Sequence, residues 1–486
     1  MKKMIALLLA LLMLLPLCSC ASSLTEAPQE APGEEEKKEE VPQKTDKTEE
    51  DKGPITYPKG FSIGFGSEEM NPPDMNNVLL GMGDKATGVK EDILATCVAV
   101  HDGEKTVLLF HMDMKETADG IFANCTKQIE ENFGIPAENI IMSSTHTHAA
   151  PHTSVQNVGN IRWRQKVTKS VARAAEEALR DLAGAEIYVS TGDTTGLNFS
   201  RRYKLTDGTS MMHPTDLSIV KGYETEADHE IRIIRFEREG KKDVILANWQ
   251  THYGAGGNLI TSDFVHHIRK TLKDDIDANF AYFNGGSGNL SLNSFIEERT
   301  YSTYVEQGKA VGKIIQESIK SETKVESGAI RTMHSDLDGQ VKQDTEERKQ
   351  QAKEIAAADG AVQKTLASQY GFDKNYYSHE ASSTNTRARM DAITKIPLTV
   401  ITFGDLAFAS FPFEMFDTSC KELRDASPYK MTFACAYANG HLGYMPPDEI
   451  FPNGGYEVLK SFFVPGTAEN AVAENLRMLS ECKNAK

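Results

Sequence analysis

The sequence predicts an α/β fold, in a single large domain that spans residues 55–486. Short β-prone runs alternate with segments of helical spacing along that length, and this is the pattern of an α/β domain. Hydrophobic residues make up 40% of the 486-residue chain and charged residues 25%, so most of the chain can bury a core. No period of twenty to fifty residues repeats, which favours one domain over an array of small units.

The first predicted elements lie between residues 93 and 182. A β-hairpin around His101-Asp102-Gly103 is predicted by the apolar runs of ILATCVAVHDGEKTVLLFHMDM. A helix is predicted by the spacing of ETADGIFANCTKQIEENFG, and it ends at Gly134 ahead of Pro136, as a helix C-cap does. A short strand, ENIIMSST, follows, and a second helix is expected from about Asn160 to Leu182.

The alternation continues through the second half of the chain. Strands are predicted at AEIYVS, EIRIIRFE, DVILANWQ and NFAYFNGG, and a long helix from Tyr301 to Lys320. The polar segment from Gln340 to Ala367 predicts an exposed helical excursion rather than core. A hairpin at Gly404-Asp405 in KIPLTVITFGDLAFASFP, a helix, the strand KMTFACAYANG and a terminal helix near Ala468 to Cys482 complete the domain.

Residues 1–20 are predicted to be an export signal. Two lysines precede an apolar run of signal-peptide length in MKKMIALLLALLMLLPLCSC, and the run is too short to span a membrane comfortably. Its end, Leu17-Cys18-Ser19-Cys20, resembles the bacterial lipobox, so Cys20 is predicted to be the lipid-modified mature N-terminus. The alternative is plain secretion with cleavage near Ala21. In both cases the protein leaves the cytoplasm.

Residues 21–54 are predicted to form a disordered acidic linker. They include one Leu, one Val and no aromatic residue, so burial cannot offset the entropy lost on ordering. Eleven acidic residues against five lysines give this segment about six of the chain's 17 net negative charges. With no basic patch elsewhere, we expect no nucleic-acid partner.

Five cysteines lie beyond the export signal. Export permits disulfides, but the sequence does not determine connectivity. We expect these residues to be mostly buried small hydrophobic side chains: Cys97, Cys125, Cys420, Cys435 and Cys482.

Three of the 13 histidines fall within eleven residues, MSSTHTHAAPH. A His-x-His pair alone is a weak signal in a chain of this length. Here, however, it follows a predicted strand, and ligands and catalytic groups favour strand ends in α/β sheets. Side chains at i and i+2 of an extended segment point to the same side. His146 and His148 are therefore candidates for a metal site that needs further ligands from elsewhere.

Three further stretches contain candidates. His252 in NWQTHYGAGG follows a strand end, although a histidine that caps a turn would look the same. Glu414 in ASFPFEMF follows a buried strand, where an unpaired carboxylate is costly, so a nearby cation is expected. Tyr444 and Tyr456 lie in a loop with three prolines, ANGHLGYMPPDEIFPNGGYE, for which ordinary packing is the alternative explanation.

Taken in order, these motifs resemble the catalytic domain of the neutral/alkaline, non-lysosomal ceramidase family. The resemblance runs from about Ile63 to the C-terminus through IGFGSEEMNPP, LLGMG, HMDM, SSTHTHAAP, NWQTHYGAGG, GGSGNLSLN, PFE and NGHLGYMPPDEIFPNGGYE. The most specific match is SSTHTHAAP, similar to the family's Thr-His-Thr-His-Ser-Gly-Pro. The resemblance implies a mixed β-sheet core flanked by helices, and no C-terminal immunoglobulin-like domain, because the chain stops at Lys486.

The resemblance also implies a zinc site and the residues around it. The implied zinc ligands are His146, His252, Glu414 and Tyr444. The implied catalytic residues are His148, which lines the pocket beside the metal, Ser291, Tyr456, which steadies the oxyanion, and Arg201, favoured over Arg202. The chain departs from the family at Asn289, Leu292 and Phe413, where the family has Asp, Pro and Gly. Those changes leave the metal chemistry intact and put the substrate in question.

The implied ligand set is chemically reasonable. Two imidazoles, a carboxylate and a phenolate make a nitrogen and oxygen site that suits zinc and leaves room for water. Zinc lowers the pKa of that water to about 7 and polarises a carbonyl. Tyr456 and Arg201 would stabilise the oxyanion, each donor contributing about 3 kcal/mol, and His148 would carry the proton to the leaving amine.

The sequence therefore predicts an exported, lipid-anchored, zinc-dependent amidohydrolase that cleaves the N-acyl amide bond of ceramide or a related N-acyl lipid. Two alternatives remain open. A lipobox, an acidic linker and one α/β domain are also typical of a non-catalytic surface lipoprotein that binds a solute or glycan. A related hydrolase that acts on another amide or an ester is the second alternative.

Overall fold

A computed structural model describes residues 53–297 and 301–485. The predicted export signal, and all of the predicted linker except its last two residues, lie outside this part of the chain. Residues 55–486 form one compact unit. Within the described ranges, no helix combines the length and the apolar composition needed to cross a membrane.

The described residues contain ten α-helices, in chain order: α1 Asp119–Phe133, α2 Val158–Arg180, α3 Asp263–Ile276, α4 Tyr304–Ser318, α5 Glu346–Ala357, α6 Gly360–Gln369, α7 Tyr377–Arg387, α8 Asp417–Ala426, α9 Tyr456–Lys460 and α10 Thr467–Asn484. The strands in the same ranges are β1 Ser62–Glu69, β2 Gly88–Val89, β3 Leu94–His101, β4 Thr106–Met112, β5 Ile140–Ser144, β6 Ala183–Asp193, β7 Phe199–Ser200, β8 Arg202–Leu205, β9 Ser210–Met212, β10 Val220–Tyr223, β11 Glu230–Arg238, β12 Val244–Trp249, β13 Leu259–Ile260, β14 Asn279–Asn284, β15 Leu290–Ser291, β16 Thr323–Val325, β17 Ile330–Gln340, β18 Ile393–Phe403, β19 Leu406–Ser410, β20 Glu414–Met415, β21 Met431–Cys435 and β22 Tyr444–Met445.

A nine-stranded mixed sheet forms the centre of the fold. Its strand order is β14-β12-β11-β6-β1-β3-β4-β5, with β16 paired to β6. The β12–β14 and β4–β5 pairs are parallel and the other pairs in this order are antiparallel. Strand β14, at one end of the order, approaches β4, which is next to the other end. The Tyr282 amide of β14 donates to His111 Nδ1 of β4 at 2.8 Å. This approach places the C-terminal ends of β5 and β12 in one region.

A second, four-stranded sheet packs on the first. Its order is β17-β18-β19-β21. Apolar side chains from alternate positions of both sheets, such as Val98, Ile141, Phe403 and Phe433, are fully buried in the cluster between them. The opposite faces are covered by α1 to α4 on the large sheet and by α8 and α10 on the small one. The predicted α/β fold, with a mixed sheet flanked by helices, is confirmed.

Asn439 joins the loop after β21 to the edge of β5. Its backbone is left-handed, with φ at 60°. Its side chain accepts from the Met142 amide at 2.8 Å and donates to the Ile140 carbonyl at 3.0 Å. Its own amide donates to the Met142 carbonyl at 3.1 Å. The side chain and backbone of Asn439 therefore take the place of a neighbouring strand and connect the chain of the small sheet to the large one.

Several predicted elements agree with the structure. The hairpins are β3–β4 and β18–β19, and α1 ends at Gly134, which is left-handed with φ at 68°. The five cysteines within the described ranges are free and buried, as expected from the sequence.

The polar segment from Gln340 needs correction. Gln340 ends strand β17, and the helices begin only at Glu346. Two helices, α5 and α6, replace the single predicted excursion, and α7 packs beside them. They are mostly exposed but pack around a small apolar cluster of their own: Ala352, Ile355, Ala367, Phe372 and Ala381.

Two glycines of β1 allow α2 to lie directly on the sheet. A Cβ at Gly64 would lie 1.9 Å from the Ala178 carbonyl oxygen, and one at Gly66 would lie 2.2 Å from that of Ala174. We expect Gly64→Ala to lower the free energy of unfolding by about 3 kcal/mol, because backbone rather than a mobile side chain must move. Urea denaturation measures this. Gly184→Ala on β6 is the control, because its Cβ would meet only Glu239 Oε2, at 3.7 Å; equal losses in both variants would contradict the packing argument.

Candidate metal centre

Two strand ends of the large sheet bring three histidines together. His146 and His148 follow β5, and His252 follows β12. One neighbour of β12 is β14, whose Asn284 side chain donates to the Thr145 carbonyl at 3.4 Å and so links β14 to the segment that follows β5. One nitrogen from each of the three imidazoles lies within 4.8 Å of the other two, a spacing at which one ion can bind all three.

His146 is held from three sides. Its backbone is left-handed, with φ at 65°, which is uncommon for a residue other than glycine. Its Nδ1 donates to the Lys115 carbonyl at 2.8 Å, and its ring stacks on Tyr437 at a centroid distance of 4.1 Å. Since Nδ1 carries the proton, Nε2 presents its lone pair to the centre of the cluster.

His252 has the same protonation pattern. Its Nδ1 donates to the Ser287 carbonyl at 3.2 Å, which leaves the lone pair on Nε2. The following loop is fixed by buried Asp263, which accepts from the amides of Gly254 and Ala255 at 2.9 and 2.8 Å. Burial raises the pKa of Asp263 to about 6, although those amide bonds oppose the shift.

His148 lies between the cluster and the surface. Its Nε2 is 3.0 Å from His146 Nε2, and its ring stacks on Tyr253 at 3.8 Å. Its Nδ1 is 3.0 Å from the sulfur of Met82, a side chain that is 60% exposed. The sequence predicted His148 as a pocket residue beside the metal; its position would also allow it to bind the ion.

Glu414 and Tyr444 come from the segments that follow strands β19 and β21 of the small sheet. They are directly paired in the parallel β20–β22 ladder. Glu414 is buried; its Oε2 lies 3.4 Å from His146 Nε2 and has no hydrogen-bond partner among the described residues. Its Oε1 lies 3.4 Å from Nε2 of His441. The Tyr444 hydroxyl accepts from Arg201 at 3.0 Å.

The electrostatics of the cluster favour neutral imidazoles and an ionised Glu414. Burial lowers the pKa of His146 to about 4 and lowers the pKa values of His148 and His252 as well. Burial would raise the pKa of Glu414, but His146 and His441 outweigh it and the pKa is well below the ordinary value. Burial raises the pKa of Tyr444 despite the opposing effect of Arg201, so ionisation of this phenol needs a further cation close by.

Arg201 lies against the cluster, at the centre of a buried ion network. Its Nη1 is 3.2 Å from His252 Nε2 and its Nη2 donates to the Tyr444 hydroxyl. Its Nε donates to Glu457 Oε1 at 2.8 Å. Arg202 turns away and donates to Glu457 Oε2 at 2.5 Å and to Glu224. Of the two arginines, Arg201 is thus the one that faces the histidines.

The remaining predicted site residues differ in their placement. The Tyr456 ring lies 5.5 Å from that of Tyr444 and 5.9 Å from the guanidinium carbon of Arg201. Ser291 is half-buried on β15, and its hydroxyl accepts from the Asn293 amide at 3.0 Å. Within the described ranges no hydrogen bond joins the Ser291 hydroxyl to the histidines. The serine that touches the cluster is Ser287, whose carbonyl orients His252.

Sequence reasoning missed the residues that surround the candidate ligands. His441 lies in the NGHLGY motif, and Glu457 follows Tyr456 directly, so both were within the quoted stretches. Their roles depend on contacts with Glu414 and Arg201, which are 27 and 256 positions away. Glu457 had no local signal, because its partners Arg201 and Arg202 lie 256 and 255 positions away in the sequence.

Glu116 supplies a second buried carboxylate near the cluster. It accepts from the Thr153 hydroxyl at 2.5 Å, and its Oε2 lies 3.6 Å from Lys115 Nζ. Burial would raise its pKa, but His441 and Lys115 outweigh burial and lower it to about 2. Because the pKa in the folded protein is below that of the unfolded chain, ionised Glu116 stabilises the fold above pH 4.5, and this contribution is lost as the pH falls through 2.

We therefore expect Glu116→Gln to lower the free energy of unfolding by about 3 kcal/mol at pH 7. The difference from the unmodified protein should shrink as the pH falls below 4.5. Urea titrations between pH 7 and pH 3 measure it. Glu131→Gln, at an exposed ion pair with Lys127 on α1, should cost less than about 1 kcal/mol. A Glu116→Gln cost that stays constant with pH would contradict this assignment.

The donors fit a zinc ion. His146 and His252 each donate Nδ1–H to a backbone carbonyl, an arrangement that fixes the Nε2 lone pair of a metal-binding histidine. Among the described residues, no donor reaches the buried Glu414 Oε2, and such an atom is costly unless a cation or proton occupies its lone pairs. Imidazole nitrogens with carboxylate and phenol oxygens are ligand types that zinc takes.

Comparison with solved structures identifies proteins that have a similar fold. The chain is similar to a ceramidase complexed with C2, with 13% identity and a TM-score of 0.66 over 88% of this chain and 76% of the other. It is similar to neutral ceramidase from Pseudomonas aeruginosa, with 14% identity and a TM-score of 0.66 over 88% and 75% of the two chains. No family model matches the chain, and no curated protein matches it. The predicted likeness to the neutral ceramidases is thereby confirmed at the level of the fold.

Proposed function

We propose that this protein is a zinc-dependent amidohydrolase that cleaves the N-acyl amide bond of ceramide or a related N-acyl lipid. The observation that carries the proposal is the convergence of three imidazole nitrogens within 4.8 Å, with the unpartnered Glu414 Oε2 at 3.4 Å from one of them. A fold shared with proteins described as ceramidases supports the reaction class. The substrate and the metal are part of the proposal.

The ion would be held by His146, His252, Glu414 and Tyr444, with His148 beside it. When bound, zinc supplies a Lewis acid that activates water near neutral pH and polarises a carbonyl. All of these side chains are provided at strand ends or by loops fixed through backbone hydrogen bonds. The site is consequently preorganised before substrate arrives.

The chain's own residues would carry the remaining steps. Arg201 and Tyr456 lie on one side of the histidines, where N–H and O–H groups can donate to the oxyanion that develops on the scissile carbonyl. His148 is less buried than His146 and has the lowered pKa of a neutral imidazole, so it can take a proton and deliver it to the departing amine. Glu457 keeps the Arg201 guanidinium in place.

The cellular location is part of the proposal. The lipobox that ends at Cys20 predicts a lipid anchor in the bacterial envelope, outside the cytoplasm. An anchored enzyme would meet amphiphilic substrates at a membrane surface. Labelling with a radioactive or alkyne-tagged fatty acid should mark the protein, and Cys20→Ala should remove the label.

Two measurements on the purified protein test the function. Elemental analysis should find about one zinc per chain, and a panel of N-acyl lipids, acyl amino acids and esters should show amide hydrolysis that a chelator abolishes and added zinc restores. A protein without bound metal and without hydrolysis of any panel member would support the alternative of a solute-binding or glycan-binding lipoprotein. Cleavage of esters alone would indicate a different hydrolase.

A further inference from the structure

Helix α9 directs the side chains of Glu457 and Lys460 toward the side that carries Tyr456. Residues four positions apart in a helix are neighbours on one face, and residue i+4 lies in angle between residues i and i+1. Viewed down the helix axis, Lys460 therefore points between Tyr456 and Glu457, one turn closer to the C-terminal end of the helix. Tyr456 approaches Tyr444 and Arg201, and Glu457 binds Arg201. Lys460 must project toward the same side of α9 as these two residues.

The backbone around Lys460 confirms its closeness to the candidate ligands. Ser461 forms a β-bridge with Gly443, and the Gly443 carbonyl accepts from the Glu414 amide at 3.0 Å. The approach at Gly443 is tight, since a Cβ there would lie 3.2 Å from the Lys460 carbonyl oxygen. Lys342 fixes the end of α9, because its Nζ donates to the carbonyls of Val458 and Ser461 at 3.0 and 3.1 Å.

Lys460 is half-buried, and no hydrogen bond or ion pair joins its ammonium group to another residue in the part of the chain that the structure describes. The nearby acids already have partners: Glu116 is bonded to Thr153 and lies by Lys115, and Glu414 faces His146 and His441. Burial lowers the pKa of Lys460, and Glu414 is the largest opposing influence. A half-buried ammonium without a partner is costly, and an incoming anion would relieve that cost.

We propose that Lys460 binds an acidic group of the substrate, so that the favoured substrates are N-acylated amino acids or aminosulfonates rather than neutral N-acyl lipids. This inference rests on the proposed function and narrows its substrate class. Lys115, whose Nζ lies 3.6 Å from Glu116 Oε2, is a second cation whose charge acts on Lys460. The carboxylate or sulfonate would lie against α9, while the amide carbonyl reaches the histidine cluster.

Matched substrates test the proposal. We expect kcat/KM for N-dodecanoylglycine and N-dodecanoyltaurine to exceed that for N-dodecanoylethanolamine by about tenfold or more, as a charge-assisted hydrogen bond would produce. Lys460→Gln should remove that preference by raising KM for the two acids far more than KM for the ethanolamide. Lys460→Arg should retain much of it. Lys421→Gln, at an exposed ion pair on α8, is the control and should change neither rate.

Three outcomes would overturn the inference or separate it from the proposed function. A wild-type preference for the ethanolamide overturns it, and so does an equal loss on all three substrates in Lys460→Gln, which would indicate a catalytic or structural role. If no substrate is cleaved, the proposed function fails, and calorimetric binding of octanesulfonate then decides the inference. Tighter binding by the wild type than by Lys460→Gln supports an anion site, and equal binding refutes it.

Discussion

His252→Ala is expected to reduce zinc content from about one ion per chain to nearly none and to abolish amide hydrolysis. His252 Nε2 is one of the three nitrogens that converge, and its loss removes a ligand from a chain segment that no other candidate ligand shares. The fold should persist, because the substitution removes two side-chain hydrogen bonds, to the Ser287 carbonyl and to Arg201, each worth about 1 kcal/mol. Elemental analysis, kinetics and urea denaturation of the same sample measure the three quantities.

His101 provides a matched control for that variant. Both histidines are 4% exposed, and His101 also bonds through both ring nitrogens, to Thr106 and to the Pro58 carbonyl. It lies at the far end of β3, away from the cluster. His101→Ala should lose similar stability but keep its zinc and its activity. An active His252→Ala protein with a full complement of zinc would rule out the site as described.

Glu457→Gln should have the second largest effect, a fall in kcat of about tenfold to a hundredfold. Glu457 is fully buried and uses its two oxygens for two arginines, Arg201 and Arg202. An amide offers one acceptor, and its NH2 group repels the other guanidinium, so Arg201 loses its fixed orientation beside His252 and Tyr444. KM for a neutral substrate should change less than kcat, because the oxyanion develops after binding.

Glu224→Gln separates positioning from simple loss of stability. The Glu224 side chain is also buried and also bonds Arg202, but among the described residues it has no hydrogen bond or ion pair with Arg201. Both variants remove one buried negative charge and should cost about 3 kcal/mol or more of folding free energy. Only Glu457→Gln should reduce kcat strongly. Equal kinetic losses in the two variants would show that Glu457 acts through stability alone.

The parts of the fold that the sequence predicted are those set by local pattern. Apolar runs around a turn predicted β3–β4, and Gly134 marked the end of α1 because only a residue tolerant of positive φ fits there. Strand β1 was missed because its sequence, SIGFGSEE, has glycines where α2 approaches. Strand β17 was missed because its polar residues alternate on an exposed face, which lacks the apolar signal of a buried strand.

In the candidate site, too, local sequence patterns indicated some residues and only the tertiary structure revealed the others. His146, His148 and His252 were indicated by strand ends, and Glu414 by a carboxylate after a buried strand, and these four do meet. The contacts of Arg201 with Glu457 span 256 positions, so no local pattern could reveal them. Ser291 was taken from the resemblance; its hydroxyl accepts from the Asn293 amide, and its role in the site stays a prediction. Sequence thus identified donors at element ends, while the partners that orient them depend on tertiary structure.

The split origin of the ligands has a consequence for assembly of the native state. The imidazoles belong to one layer and the carboxylate and phenol to another, and Asn439 is a protein bridge between the same two layers. An ion bound by both sets would be a further link between these layers, and its binding free energy would add to the stability of the native state. If a chelator removed the ion, the contacts between the two sheets would therefore weaken before either sheet was disturbed.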